Sequence, residues 1–476
     1  MTRDPDTTKG TLIDTNTGPA IEYDETGLRM RLSDDVINDI NNRTNSWIDS
    51  AVLGDIDAFG LCRSGEWYIF DARLPGKQGQ RRFRRRIDPV ADLPPDIIAD
   101  PTGALFSILS LGGTRRAKMS AELLDFPYHI LTFDDGFDAG GSLGTDPTPP
   151  FSQLARVRTP NHDSLIADAL LDLRFQEMRS LPLIVTRSVA TNTTRAGDFF
   201  KSPALEEFHM TVQNLKAAAQ ELGVPAKVLG VGLDFAMEDT LSTSTEWKEA
   251  VFEIMDKVSE IFSSENLRKP LFFMNYDCGT MDQYDTPALR AQHDLLWDHG
   301  GHSIIFTSPS YMYAQDAFGR LTSGSAIAMA RMDAYALEAC NQDKEWHCPR
   351  ILLAERSETD PTAIICRLEV SGSLLIDPDA LKQSGPSAGF CLIEDESNAK
   401  ITEVSVSKTD PSDVIVKCST APTGPDLTLG YVIGPNEPSG KDRRRIGALR
   451  DDWQDPMPSK ALLRRWALPA AIKVTG

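Results

Sequence analysis

Four apolar runs, each followed by a stretch of helical character, fill the middle third of the chain and constrain it more than any other feature. The first, Leu181 to Thr186, holds Pro182 and β-branched residues, the texture of a buried strand in a parallel sheet. A helix is expected over 203–222, with Pro203 in its first turn and Gly223 past its end. Strand 227–234 follows, then a helix opened by the capping box Thr243-Ser-Thr-Glu246. In that helix Trp247, Val251, Ile254, Val258 and Ile261 keep one face apolar. Strand 271–276, a helix from Thr286-Pro287, strand 303–307 and a helix over 323–340 complete the series. Successive β-α units of this kind predict an α/β domain, a doubly wound parallel sheet with helices on both faces.

The flanks read differently. Before residue 115 the chain offers strands at 28–32 and 67–70, a short helix over 34–48, and turns at Pro94-Pro95 and Asp100-Pro101. A small N-terminal domain is therefore expected over 1–115. It contains Arg81-Arg-Phe-Arg-Arg-Arg86, the densest basic cluster in the chain. That cluster is either a docking patch for an acidic partner or polyanion, or a solvated loop or strand edge. Residues 119–160 are loop-rich, and 165–180 is a helix with an apolar stripe. Asp134-Asp-Gly-Phe-Asp138 lacks the alternating ligands and terminal glutamate of a calcium loop and reads as a surface turn. Beyond Pro349, seven short strand-like runs separated by Gly, Pro, Asp and Asn predict a β-sandwich over 346–476, its tail packing back. The α/β domain then spans 116–345.

Composition excludes several classes. At 41% apolar and 25% charged residues the chain is globular, and a net charge of −20 argues against a nucleic-acid partner. No apolar stretch approaches the ~20 residues of a membrane helix, and the N-terminal residues carry no signal-peptide h-region, so neither membrane insertion nor a signal peptide is expected. The 7 cysteines form no CxxC pair, which argues for buried thiols and against a metal site. No cofactor is expected.

The order of elements and several short motifs resemble the SGNH (GDSL-like) hydrolases, in particular the sialate O-acetylesterase-like carbohydrate esterases. Relatives of that module, with a β-sandwich behind it, occur in particles of alphaproteobacterial phages and gene-transfer agents. The tail Gly447-Ala-Leu-Arg-Asp-Asp452 with Trp466 is similar to the ending of those particle proteins. The resemblance covers roughly residues 160–345 and the tail. Thr186-Arg187-Ser188 stands where it implies Gly-Gln-Ser with a nucleophilic serine. Gly230-Val-Gly-Leu-Asp234 stands where it implies Gly-Glu-x-Asp. In Gln315-Asp-Ala-Phe-Gly-Arg-Leu-Thr322, Arg320 replaces the catalytic histidine, Ala317 its aspartate, and Asp316 lies one residue out of register.

A serine hydroxyl needs a base within hydrogen-bond reach, and guanidinium stays protonated. His209, His293, His299 and His302 all precede the strand whose end delivers the family's base. The resemblance therefore implies Ser188 as a residual, inactive nucleophile position. Around it a cleft of Arg187, Asp234, Asp316, Arg320, Tyr311 and Tyr313 would bind sugar by stacking and paired hydrogen bonds. Alternatively the two arginines merely pair with Asp234 or Asp316. Two functions follow. One is a tail or spike protein of a virion or gene-transfer particle, a homo-oligomer that binds host-surface polysaccharide and joins other subunits through its N-terminal domain. The other is an active carbohydrate O-acetylesterase using Ser188 and another base.

Overall fold

The computed structural model describes residues 9–24, 26–33, 36, 53, 56–87, 95–113, 117–142, 150–191, 195–316, 319–381, 384–434, 443–457 and 461–476. The chain divides into two compact units, 1–74 with 79–95, and 75–78 with 96–476.

The first unit contains an antiparallel sheet of Gly10–Thr15, Gly18–Asp24 and Gly27–Met30. It also contains a meander of Ala58–Ser64, Trp67–Arg73 and Gln80–Arg86. The basic run is thus a strand. Alternation sends Phe83 inward against Phe70, with ring centroids 6.2 Å apart, and leaves Arg82 and Arg84 on the other face, opposite Asp71 and Ile69. The helix expected over 34–48 lies, apart from Val36, outside the described residues.

In the second unit a seven-stranded sheet is built from β1 (Leu105–Gly113), β2 (Ile130–Phe133), β3 (Leu154–Arg156), β4 (Ile184–Thr191), β5 (Ala226–Asp234), β6 (Leu271–Tyr276) and β7 (Ser303–Pro309). Its order is β3-β2-β4-β1-β5-β6-β7. Only β3 runs antiparallel to its neighbour; the other pairs are parallel. The central strand is β1, within the residues assigned from sequence to the N-terminal domain. The α/β sheet therefore starts well before residue 116, and the boundary expected at 115 falls inside it. The first strand of the expected series starts and ends later than 181–186, and the loop-rich stretch contains β2 and β3.

Among the described residues five α-helices flank the sheet: α1 (His162–Gln176), α2 (Ala204–Glu221), α3 (Ser244–Ser264), the single turn α4 (Pro287–Ala291) and α5 (Ser323–Asn341). Alternation along β1 and β6 separates the two faces. Leu109, Leu111, Phe272 and Met274 join Phe208, Val212, Trp247 and Val251 of α2 and α3. Ile108 and Phe273 join Ile166, Leu170, Ala334 and Leu337 of α1 and α5. The capping box opens α3 as the sequence implies: Thr243 Oγ1 accepts from the Glu246 amide at 3.2 Å, and Glu246 Oε2 accepts from the Thr243 amide at 2.8 Å.

Residues beyond 349 form sheets of seven and three strands. The last strand, Ala470–Thr475, enters the larger sheet between Thr428–Tyr431 and Arg350–Arg356. One apolar cluster runs from Leu109 of β1 to Val474 of this last strand, so the α/β and β portions share a core.

Removing residues 1–115 deletes β1 from the middle of its sheet. A fragment 75–476 is expected to be soluble with a cooperative thermal transition, and 116–476 to aggregate or lack one. A cooperative transition for 116–476 would contradict the central role of β1.

A second prediction concerns α1. Asp168 accepts from the Phe126 amide at 3.0 Å, and burial pushes its carboxyl from an ordinary 3.8 up to about 7. Between these values the folded chain holds a proton that the unfolded chain has lost. The group's stability contribution is therefore complete below about 4 and is lost as pH rises through about 7. Asp168→Asn keeps the acceptor for Phe126, so it should raise the melting temperature at pH 8 and leave it nearly unchanged at about pH 3.5, below both values. Equal shifts at both would assign the effect to something other than the carboxyl.

Candidate functional site

In an open parallel sheet, ligands sit outside the carboxyl ends of the strands where successive connections diverge. Here that point lies beside β1. From β1 the chain runs to β2, β3 and β4 on one side, then crosses to β5 on the other. A cleft opens there, lined by Lys118 to Ala121 after β1, His162 on α1, Asp234 ending β5, Asn275 of β6 and Asp277 just beyond it. Ser310 after β7, Gln315, Gly319, Arg320 and Leu321, and Ser323, Ala326 and Met329 of α5 close it. Two glycines permit the shape. A Cβ on Gly112 would stand 2.5 Å from the Asp234 carbonyl, so glycine lets the ends of β1 and β5 converge. Gly319, at φ +72°, packs where a Cβ would collide with Thr280.

The most organised group in the cleft is His162. Its Nε2 lies 2.7 Å from Oδ2 of Asp333, a carboxylate on α5 with no exposed side-chain surface. Oδ1 of Asp333 accepts from Asn275 Nδ2 at 2.8 Å and from the Thr307 hydroxyl. Three groups converge on one carboxylate, and the His162 contact is made with the imidazole proton on Nε2. The His162 side chain is 10% exposed, and among the described residues Nδ1 has no hydrogen-bond partner. None of the cleft serines, Ser120, Ser310 and Ser323, bonds to this ring: Ser310 accepts from the Cys278 amide at 2.7 Å and reaches Asp277 Oδ1 at 3.4 Å. Asp277 itself is buried, and its main chain is held by Gln292 through bonds of 2.8 and 2.9 Å.

Of the residues expected to form the site, Asp234 and Arg320 line the cleft. Asp316 does not line it but accepts from Arg320 Nε at 2.9 Å. The others are elsewhere. Ser188 lies within β4 rather than in the loop after it, and it is fully buried. Its hydroxyl donates to Asp163 Oδ2 at 2.8 Å and accepts from Asn161 Nδ2 at 2.7 Å and from Ser110 at 2.9 Å. It neighbours no imidazole in this network and cannot meet a ligand.

Arg187 is 1% exposed and paired bidentately with buried Asp135, donating also to the Asp138 carbonyl at 2.6 Å. The Asp134–Asp138 turn is thus the counter-charge for Arg187. Tyr311 and Tyr313 offer no stacking surface, each being 3% exposed. Tyr311 donates to the Ala467 carbonyl at 2.9 Å and Tyr313 meets Ser308 at 2.8 Å, and burial raises both phenols well above their ordinary range. Of the other histidines, His302 faces Asp256 at 3.1 Å and His209 faces Glu265 at 3.0 Å, and neither they nor His293 and His299 line the cleft.

His162 escaped the sequence reading because the helix that carries it was begun at 165, and Asp333 because it lies in the middle of the helix read over 323–340. Asn161 was a legible signal: as N-cap it accepts from the Ser164 amide at 3.0 Å and sets His162 at the helix's first position.

No family model matches the chain, and no curated protein matches it. Among solved structures it is similar to a carbohydrate acetylesterase from Xanthomonas citri, at 11% identity over 95% of this chain and 90% of that one, with a TM-score of 0.49. A protein from Arabidopsis thaliana aligns at 14% identity over 49% of this chain and 98% of its own, with a TM-score of 0.33. The N-terminal part of the bacterial S-layer protein SbsC aligns at 11% identity over 57% and 45%, with a TM-score of 0.17.

Burial predicts how the misplaced residues behave. Arg187→Ala leaves Asp135 buried without its counter-charge and should cost about 3–5 kcal/mol of stability in denaturant titration. Ser188→Ala removes one hydroxyl from a buried network and should cost about 1–3 kcal/mol. Neither loss is expected if these side chains face solvent.

Proposed function

We propose that this chain is a glycan-binding protein of a phage or gene-transfer-agent type particle, and that its α/β cleft holds a sugar without serine-dependent hydrolysis. The cleft lining carries the reading. Carboxylates at Asp234 and Asp277, the Asn275 amide, the His162 imidazole and the Arg320 guanidinium surround apolar Met119, Leu165 and Leu321. Such a mixture suits a ligand with several hydroxyls on an apolar ring face. Among the described residues no cleft serine is bonded to the imidazole and Ser188 lies inside the sheet, which supports binding without serine-dependent hydrolysis.

The particle context rests on the tail motif and the element order. In this reading the first unit, with its basic strand, joins other subunits, and several copies act together. A weak single-site affinity then becomes useful through effective concentration. The motif residues have structural partners: Arg465 donates to buried Asp451 at 2.7 Å, and Trp466 is buried.

The competing reading is an active carbohydrate O-acetylesterase, and the observation in its favour is the His162–Asp333 pair. Two measurements decide. Host-surface polysaccharide should bind the assembled protein and should bind Asp234→Asn at least about tenfold more weakly, with the melting temperature kept. Release of acetate from small acetyl esters should not exceed the buffer rate. Turnover abolished by His162→Ala would overturn the non-catalytic reading in favour of the esterase.

A further inference from the structure

Asp333 does more than bury a charge: it fixes which ring nitrogen of His162 carries the proton. Its Oδ1 is occupied by the Asn275 amide and the Thr307 hydroxyl, so Oδ2 is the oxygen left to accept from Nε2. Nδ1 is then a lone-pair acceptor on a side chain nine-tenths buried in the cleft wall, without a partner among the described residues. In the empty cleft solvent can reach Nδ1, and once a ligand displaces that solvent only a donor on the ligand satisfies the acceptor. We infer that His162, oriented by Asp333, is the specificity-determining residue of the cleft, selecting a ligand with a free hydroxyl at the position it faces and rejecting the same ligand capped there by an O-acyl or O-alkyl group.

The inference rests on the binding reading above and extends it to a particular hydroxyl. A capped oxygen has no proton to donate. Its entry would both crowd the ring and strand Nδ1 without a partner. Sites built around a hydrogen bond to a substrate hydroxyl discriminate strongly against analogues that lack it, because the protein group is left unpaired. The expected preference for the free hydroxyl is roughly five- to hundredfold.

Asp333→Asn supplies a test in which the imidazole stays but its polarity changes. Thr307 and Asn275 are both donors, so they keep the new amide's oxygen on their side and turn its NH2 toward His162. An amide proton facing Nε2 makes Nε2 the acceptor and moves the ring proton to Nδ1. The cleft should then favour an ether oxygen over a hydroxyl. His162→Phe should remove the preference altogether.

The experiment uses the full chain and a panel of methyl glycosides, each free and as its single O-methyl ethers, which no esterase cleaves. Binding is followed by saturation-transfer NMR, and each variant's thermal transition is measured alongside. The expected result is one ring position at which methylation weakens wild-type binding at least about fivefold. At that position Asp333→Asn should reduce or reverse the preference, and His162→Phe should abolish it. Folded variants that both keep the wild-type preference would overturn the role of His162 while leaving glycan binding intact. Wild-type chain that binds no glycoside, or binds them equally well as Asp234→Asn, would overturn the binding reading and this inference with it.

Discussion

A single buried carboxylate organises the edge of the sheet at which the cleft opens. Asp333 has no exposed side-chain surface, and an isolated charge in that position would cost several kcal/mol. Three donors offset the cost, and they come from three different elements: Asn275 from β6, Thr307 from β7 and His162 from α1. Satisfying one charge therefore fixes the relative position of two strands and two helices at the end of the sheet where the cleft opens. The same bonds orient His162, the imidazole that lines that cleft among the described residues. Packing and chemistry are here a single constraint, since removing the charge would loosen both.

Elsewhere buried charge serves architecture alone. Arg187 meets Asp135 beneath the Asp138 carbonyl, and Arg331 donates to Asp172 at 2.8 Å across the α1–α5 contact. Arg465 pairs with Asp451 beside Trp346 and Trp453. The first two pairs join segments far apart in the chain and the third ties two neighbouring strands, and each would be costly to break from one side. An arginine next to a serine in an apolar run is what a site motif looks like in sequence. It is also what a buried tie looks like. Only the third dimension separates the two, because the deciding quantity is whether the guanidinium ends against a carboxylate or against water.

Periodicity made the β-α alternation from β4 to α5 legible, down to the Thr243 capping box and the Thr286 cap of the short α4. The central strand was not, although Leu105–Gly113 is itself an apolar run. Its crossover is not a helix that follows at once but a passage through β2, β3 and α1, so no strand–helix rhythm surrounds it. Missing β1 had a direct consequence for the site. The divergence of connections lies beside β1, and a reading that started the sheet at residue 181 had to place the cleft beside β4. Asp234 and Arg320 were found despite this because they end β5 and follow β7, strands whose periodicity was plain. His162 was lost to a helix start drawn three residues late, and Asp333 to its position inside an alanine-rich helix where a charge reads as exposed.

The tyrosines expected in the cleft act one layer beneath it. Tyr311 is fixed through its hydroxyl to the Ala467 carbonyl and lies 3.4 Å from the Tyr431 hydroxyl, while Tyr313 is held by Ser308. Both rings belong to the turn that leaves β7, so they clamp the start of the segment carrying Gln315, Gly319 and Arg320 to the cleft. The Asp316–Arg320 pair and the backbone bond from the Asp316 amide to the Arg320 carbonyl at 2.8 Å tighten its tip. Anchoring of this kind limits the conformational freedom of Gln315 and Arg320 beside the cleft. The residues after 349 thus contribute to the cleft without entering it: Ala467 and Tyr431 hold Tyr311, Tyr311 holds the loop, and the loop presents Arg320.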